Sequence, residues 1–132
     1  MIRSAVIGLV FAGLLTGCAT DETVAAYGGA GQVWRVVELD GTPFSAQATL
    51  TFPERGVIAG MAPCNRYTAQ MDTPYPWFEA GPVSATKLHC PAHQSETIFF
   101  AALSAMTLVE VLGDTLILST PEGRSIILKS GD

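Results

Sequence analysis

The stretch "SETIFFAALSAM", residues 95–106, carries the helical pattern that decides the fold of this chain. Its apolar side chains recur at the spacing of one helix face; they are Ile98, Phe99, Ala102, Leu103 and Met106. Pro91 upstream suits a first helical turn, and Glu96 suits the positive end of the helix dipole. The pattern predicts one amphipathic helix with an apolar stripe in the core.

The segments on both sides of this helix favour β-strands, because they alternate or are rich in β-branched and aromatic residues. The predicted strands are 33–39, 48–52, 55–61, 65–72, 115–119 and 125–129. The last two are nearly continuous apolar runs, so we expect them to be central or covered on both faces. The stretch "TPYPWFEAGP", residues 73–82, is predicted to be loop or edge because proline cannot donate to a sheet ladder.

The fold class follows from combining these elements. A helix with one apolar stripe needs a concave surface on which to bury it. We therefore expect an α+β fold, in which a mostly antiparallel curved sheet or partial barrel packs around one amphipathic helix.

The N-terminal residues predict a lipoprotein signal. One cation, Arg3, precedes the apolar run 5–15, which is typical of a secretory signal and shorter than the roughly 20 apolar residues of a membrane-spanning helix. The following "LTGC", residues 15–18, resembles the bacterial lipobox, in which the cysteine is acylated and becomes the first mature residue. The resemblance implies lipidation of Cys18 and a place in the cell envelope. In a Gram-negative host it implies the outer membrane, facing the periplasm.

The predicted organisation has three parts: a signal at 1–17, a lipid-anchored flexible tether at 18–32 and one domain at 33–132. Cleavage removes 17 of 132 residues and leaves 115, enough for one modest core. Without Arg3 the mature chain carries six cations against twelve carboxylates, a net charge of −6. The cations form no cluster, so we expect no nucleic-acid partner.

Several stretches resemble the META domain family. "VWRVVELDGTPF" resembles its opening W-x-[LV]-x-x-[LIV]-[DN]-G-x-P, "GMAPCNRYTAQM" its G-x-x-G-C-N-x-[YF]-x-G-x-[YF] segment, and "SATKLHC" its T-x-x-x-C segment. The resemblance covers residues 33–129. Pro63 and Ala69 stand where the family has glycine, so we expect a different local turn there.

The resemblance implies a small envelope domain linked to stress or drug tolerance, as in the HslJ-like heat-shock lipoproteins of this family. It brings no catalytic mechanism and no cofactor. We therefore expect a non-enzymatic, monomeric protein with a binding or accessory role. Its expected partners are the membrane, through Cys18, and an envelope protein or small molecule that the sequence does not identify. A purely structural envelope protein is the alternative.

Cys64 and Cys90 are predicted to form a disulfide. Once Cys18 is acylated they are the two remaining thiols, in a compartment that permits oxidation, and both fall on family positions. Such a bond would stabilise the domain by roughly 3–4 kcal/mol in the entropic model.

Other interpretations of these cysteines remain open. With His89 and His93 they make two sulfurs and two imidazoles, the number of ligands of a closed zinc site. Adjacent residues seldom point at one metal, however, and the usual C-x₂₋₄-C spacing is missing, so we predict no metal. A Cys–His nucleophile would need a free thiol and a residue that orients the imidazole, and two unpaired inert thiols are the remaining case.

Two further sets are candidate binding residues. Asn65 and Arg66 could contact a ligand, although asparagine more often supports a turn through its own side chain. Tyr75, Trp77 and Phe78, set among prolines, could form an exposed apolar patch for a partner or instead cap the open end of the partial barrel.

Overall fold

The structure is a computed structural model, and it describes residues 20–131 together with Gly8 and Gly13. Apart from those two glycines, the predicted signal lies outside the described residues, as does the predicted lipidation site, Cys18. Both remain predictions.

The described chain contains nine strands, one α-helix and one short 3-10 helix. The strands are β1 (Trp34–Leu39), β2 (Thr42–Pro43), β3 (Thr49–Glu54), β4 (Val57–Met61), β5 (Arg66–Gln70), β6 (Ser84–Ala85), β7 (Leu108–Leu112), β8 (Thr115–Ser119) and β9 (Ser125–Ser130). The α-helix α1 spans His93–Ala105, and the 3-10 helix spans Val24–Tyr27.

All strand pairs are antiparallel, and the sheet runs in the order β6-β5-β4-β3-β1-β9-β8-β7, with β2 paired to β1. Register shifts interrupt the β1–β9 and β3–β4 ladders, and such irregularities bend strands and increase their twist. The predicted α+β class, with a mostly antiparallel curved sheet and one helix, is confirmed. The sheet is open, because its end strands β6 and β7 do not pair with each other.

Two features of the sheet follow from local sequence. Asp40 and Gly41 connect β1 to β2 with positive φ angles of 51° and 80°, the backbone that a two-residue hairpin turn requires and that Asp-Gly tolerates. Strand β7 and the two-residue strands β2 and β6 were not predicted. β7 begins three residues after α1 ends, so the helical pattern leads directly into it.

The helix buries a narrower stripe than predicted. Phe99, Ala102, Leu103 and Met106 are buried in the core, whereas Ile98 is 48% exposed. Ile98 lies one residue, about 100° of helix rotation, from Phe99. It lines an open surface cavity beside residues 42–46 instead. The helix therefore packs onto the sheet along one edge of the predicted stripe.

Strands β8 and β9 match their prediction in part. β9 is central, between β1 and β8, but β8 is one strand from the edge. Both alternate, with Leu116, Leu118, Ile126 and Leu128 buried on one face. The opposite face, where Ile117 pairs with Ile127, is half-buried and not fully covered.

Part of the segment predicted as a flexible tether is held to the domain instead. Val24 is fully buried, and the indole N–H of Trp34 donates to the Gly29 carbonyl oxygen at 2.9 Å. A Cβ on Gly29 would lie 2.8 Å from the Val24 carbonyl oxygen and 3.1 Å from the Phe52 ring. Gly29 thus permits a close approach of the backbone to the core.

Candidate functional site

The disulfide predicted between Cys64 and Cys90 is present, with 5.6 Å between the two Cα atoms. It joins the β4–β5 connection to the segment that leads into α1. Because both sulfurs are bonded to each other, neither serves as a thiolate nucleophile or a metal ligand in this structure. The bond fixes the start of the helix against the sheet.

A buried hydrogen-bond network lies directly beside the disulfide. The Glu96 carboxylate accepts from the backbone N–H groups of Cys64 and Asn65, at 2.9 and 2.8 Å, and from the Asn65 side-chain amide at 2.8 Å. Glu96 sits in the first turn of α1, where a negative charge also complements the helix dipole. The carboxylate thereby ties the helix to the β4–β5 turn.

Asn65 completes the network in the other direction. Its side-chain oxygen accepts from the Leu88 N–H at 2.7 Å and the Thr86 hydroxyl at 2.8 Å, and its amide also donates to the Leu88 carbonyl at 3.0 Å. With the bond to Glu96, Asn65 uses both amide hydrogens and both lone pairs of its oxygen. No capacity remains for a ligand.

Asn65 and Arg66, the two predicted ligand contacts, therefore have different roles. Asn65 is buried and has a structural role, which corrects its assignment as a candidate ligand contact. Arg66 is exposed and lines a shallow surface cavity of about 290 Å³ together with residues of β5 and β6. Arg66 directly follows Asn65 as the first residue of β5, but the two side chains do not form a common site.

His89 and His93 lie beside each other with ring centroids 4.6 Å apart, and both are exposed. Between residues 20 and 131, no group of three or more histidine, cysteine, aspartate or glutamate residues is placed to hold a metal ion. A zinc site formed by these imidazoles with Cys64 and Cys90 would need free thiolates, and both sulfurs are bonded in the disulfide.

The proline-rich loop holds its aromatic residues in three different environments. Phe78 is 1% exposed and belongs to the core, so its assignment to a partner surface is wrong. Tyr75 is half-buried, stacks on Tyr27 with ring centroids 4.6 Å apart, and its hydroxyl accepts from the Val111 N–H. Trp77 alone of the predicted three presents a largely exposed ring, 57% of its surface.

Residues 75–78, hereafter the aromatic segment, cover the outer edge of β7. The Phe78 N–H donates to the Thr107 carbonyl at 2.9 Å, and the Val109 N–H donates to the Pro76 carbonyl at 2.8 Å. Trp77 forms an isolated antiparallel bridge with Leu108. The segment thus satisfies an edge that would otherwise be open to pairing with other chains, while it keeps the Trp77 ring outside.

A surface cavity of about 420 Å³ lies next to Trp77. It is lined by Thr73, Trp77, Phe78, Glu79, Ser104, Met106 and Thr107, so the loop forms one wall and the end of α1 the other. The cavity adds apolar surface to the exposed indole. Sequence reasoning found Trp77 but missed this cavity, because the end of the helix is brought to the loop only by the fold.

A family model for the META domain matches residues 29–131. The chain belongs to the META domain family. The match begins before residue 33, in agreement with the packing of the Gly29 backbone against Trp34. Among curated proteins, none matches the chain.

Two solved structures share the fold of this META domain. An NMR structure of a protein from Burkholderia xenovorans is 19% identical, with a TM-score of 0.61, and the alignment covers 98% of this chain and 99% of that one. A second NMR structure is 17% identical, with a TM-score of 0.58, and covers 74% of this chain and 87% of that one. At these identities the likeness shows the fold alone.

The META motif around Cys64 has a clear structural reason in this chain. Its first glycine is Gly60, where a Cβ would lie 2.1 Å from the Thr49 carbonyl oxygen. That same carbonyl accepts from the Tyr67 hydroxyl at 2.6 Å, and burial raises the pKa of this phenol above its ordinary range. Pro63 is accommodated without positive φ, and Ala69 is buried in β5. The residues of the motif hold the sheet together.

Proposed function

We propose that this META domain is a lipid-anchored, non-enzymatic protein of the cell envelope that contacts another envelope component through Trp77. The lipobox at 15–18 supports the anchor, and the signal supports export. In a Gram-negative host the proposed location is the outer membrane, facing the periplasm, and the proposed state is a monomer. Within the described residues no helix is long and apolar enough to cross a membrane.

The observation that carries the contact surface is the exposure of Trp77 on a rigidly held segment. Backbone hydrogen bonds on both sides of Trp77 fix the segment to β7, so the backbone that carries the indole loses little conformational freedom on binding. Large aromatic side chains on a rigid support are typical of the residues that dominate binding energy. The adjoining cavity of about 420 Å³ enlarges the apolar surface that a partner could cover.

The bonding of the two cysteines and of the residues beside them supports this proposal. Cys64 and Cys90 are bonded to each other, and the Asn65 side chain is fully hydrogen-bonded to Glu96, Thr86 and the Leu88 backbone. The thiol-dependent or zinc-dependent enzyme that remained open from the sequence would need those sulfurs free. The Trp77 surface is the better candidate for function.

The link to stress or drug tolerance is part of the proposal and comes from the family resemblance, including that to HslJ-like heat-shock lipoproteins. Its test is survival of a host that lacks the gene, after heat shock or antibiotic challenge, when complemented with wild type, Cys18→Ala or Trp77→Ala. We expect both variants to lose protection. Full protection by Trp77→Ala would favour a purely structural envelope protein.

The contact itself is tested with a photo-reactive amino acid introduced at position 77 of the full chain in living cells. Leu88 is the matched control position, because it is an apolar residue with 70% exposure outside the aromatic segment. We expect a discrete cross-linked product, to protein or lipid, from position 77 and none from position 88. Equal or absent cross-linking at the two positions would contradict a specific surface at Trp77.

A further inference from the structure

The N-terminal residues dock onto the same side of the domain as the aromatic segment. The Tyr75 N–H donates to the Glu22 carbonyl at 2.6 Å, and Tyr27 stacks on Tyr75. Arg55, in the β3–β4 turn, donates to the Thr20 carbonyl at 3.1 Å. The chain is therefore held to the domain only a few residues after Cys18.

The short connection limits which part of the domain can reach the membrane. Four residue steps separate Cys18 from Glu22, and a fully extended chain covers at most about 14 Å in four steps. A domain of about 100 residues is roughly 30 Å across. An acyl anchor on Cys18 would therefore hold one side of the domain near the lipid and keep the opposite side away from it.

The side held near the anchor carries two exposed aromatic rings. Tyr27 is 54% exposed and Trp77 is 57% exposed, and both belong to segments that bond to the edge of β7 or stack on the aromatic segment. Tryptophan and tyrosine are the side chains enriched at the headgroup level of membranes, where one part of the ring is apolar and the other is hydrated.

The opposite end of the domain is the disulfide end. Strand β4 runs from Val57, beside the β3–β4 turn, to Met61, a distance of about 13 Å for four steps of 3.3 Å. The Cys64–Cys90 bond and Leu88 lie beyond Met61, because the Asn65 side chain bonds to both the N–H and the carbonyl of Leu88. An exposed side chain at Leu88 is thus on the far side from the anchor.

We propose that the face carrying Tyr27 and Trp77 rests on the lipid surface to which Cys18 is anchored, with both rings at the level of the headgroups. This inference depends on the lipidation of Cys18 in the proposed function, and it identifies the envelope component that Trp77 contacts as the membrane lipid itself. Glu22 and Glu79 are exposed on this side, so the surface favours zwitterionic over anionic headgroups.

The test uses the full chain, produced in a bacterium that processes lipoproteins and reconstituted into zwitterionic phosphatidylcholine vesicles. The chain has two tryptophans, and Trp34 is fully buried, so changes in emission report Trp77. We expect lipids brominated in the upper part of their acyl chains to quench wild-type emission. The same lipids should leave Trp77→Phe unchanged, and acrylamide in the water should quench the wild type only weakly.

A tryptophan at the far end provides the matched control. The variant Trp77→Phe/Leu88→Trp has the same number of indoles, but its exposed indole lies at the disulfide end. We expect acrylamide to quench it and brominated lipid not to. Replacing part of the phosphatidylcholine by anionic phosphatidylglycerol should reduce the lipid quenching of wild-type Trp77.

The outcomes separate the inference from the proposed function. If the intact mass shows acyl chains and the protein floats with vesicles, but brominated lipid fails to quench Trp77, the anchor stands and the orientation is overturned. The orientation is equally overturned if Trp77 is shielded from acrylamide without lipid quenching, which would indicate a protein contact. If the protein carries no acyl chains and does not float, the anchor in the proposed function fails and the orientation fails with it.

Discussion

The disulfide end and the aromatic segment differ in which of their groups are bonded within the domain. At the disulfide end, residues with reactive side chains are bonded to one another: Cys64 to Cys90, and Asn65 to Glu96 and the Leu88 backbone. In the aromatic segment, backbone hydrogen bonds on both sides of Trp77 hold the chain to β7, and the Trp77 ring stays outside.

The difference shows that the identity of a side chain does not predict its availability. A cysteine, an asparagine and a glutamate have the groups that catalysis uses, yet in this domain each of these groups is bonded to a partner. A tryptophan in a proline-rich loop keeps its surface free because its neighbours supply the contacts that hold it. Substitutions in the two regions, and at an exposed ion pair outside both, test this contrast.

The largest effect is expected from Asn65→Asp, which keeps the size of the side chain and replaces its amide by a carboxylate. The amide nitrogen lies 2.8 Å from a Glu96 oxygen, so the variant loses a donor and places two carboxylates together. We expect the free energy of unfolding at pH 7 to fall by about 4 kcal/mol, measured by denaturant titration.

The control for this change is Gln94→Glu, the same amide-to-carboxylate replacement at an exposed position in the first turn of α1. It should change the unfolding free energy by less than about 1 kcal/mol. The deficit of Asn65→Asp should also narrow as the pH falls toward about 4, because protonation of the carboxyl introduced at position 65 restores a donor. A pH-independent deficit would contradict the charge-repulsion account.

The next largest effect is expected from Cys64→Ser/Cys90→Ser. The cysteines are 26 residues apart, so losing the bond should lower the free energy of unfolding by about 3.5 kcal/mol in the chain-entropy model. Treatment of wild type with reductant should give a similar loss. Trp77-dependent lipid contact should survive in the double variant under conditions where it is folded, and loss of that contact would link the two regions.

A much smaller effect on stability is expected from Trp77→Ala, since its ring is mostly solvated. We predict a change of less than about 1 kcal/mol in the unfolding free energy, with loss of contact at that surface. Leu88→Ala removes an exposed apolar side chain at the disulfide end and should change neither the unfolding free energy nor the contact at Trp77. A large loss of stability in Trp77→Ala would show that the ring has a packing role.

The smallest effect concerns the exposed ion pair between Asp40 and Arg124, whose closest N–O distance is 2.9 Å. The hydrogen bond from Arg124 holds the pKa of the Asp40 carboxyl below its ordinary value of 3.8. Because the pKa is lower in the folded state, this stabilisation is present above about pH 4 and is lost as the pH falls through the folded value.

We expect Asp40→Asn to cost about 0.5 kcal/mol at pH 7, as is usual for an exposed pair. Asparagine tolerates the positive φ of this turn, so the backbone should be kept. Arg124→Gln should also lower the free energy of unfolding, and the double variant should lower it no further than the larger of the two single losses. A loss in the double variant equal to the sum of the two single losses would show that the pair does not act as a unit.

Local pattern predicted much of the fold because the determining interactions lie close in sequence. The Asp-Gly turn, the hairpin of β3 and β4, and the alternation of β5, with Tyr67 and Ala69 on its buried face, depend on period and on turn residues. The role of residues 22–32 was missed because a glycine that permits close packing has the same sequence signature as a glycine in a flexible linker.

The candidate site was predicted less well, because burial at a loop depends on what the fold brings to it. Trp77 and Phe78 are neighbours in one loop, yet one is exposed and the other is core. Their difference is set by β7 and the end of α1, which lie about 30 residues away in sequence. Asn65 offered a turn-forming signal, but nothing local indicated that Glu96 would be its partner.

The sequence by itself determined the strand and helix periods, the turn residues, the charge and the pattern at Cys18, because these depend on residues within a few positions of one another. Tertiary structure decided which side chains have unused bonding capacity. It brought Glu96 to Asn65 and joined Cys90 to Cys64, and it set the N-terminal residues against Tyr75. Such pairings depend on contacts between distant segments, which no local period encodes.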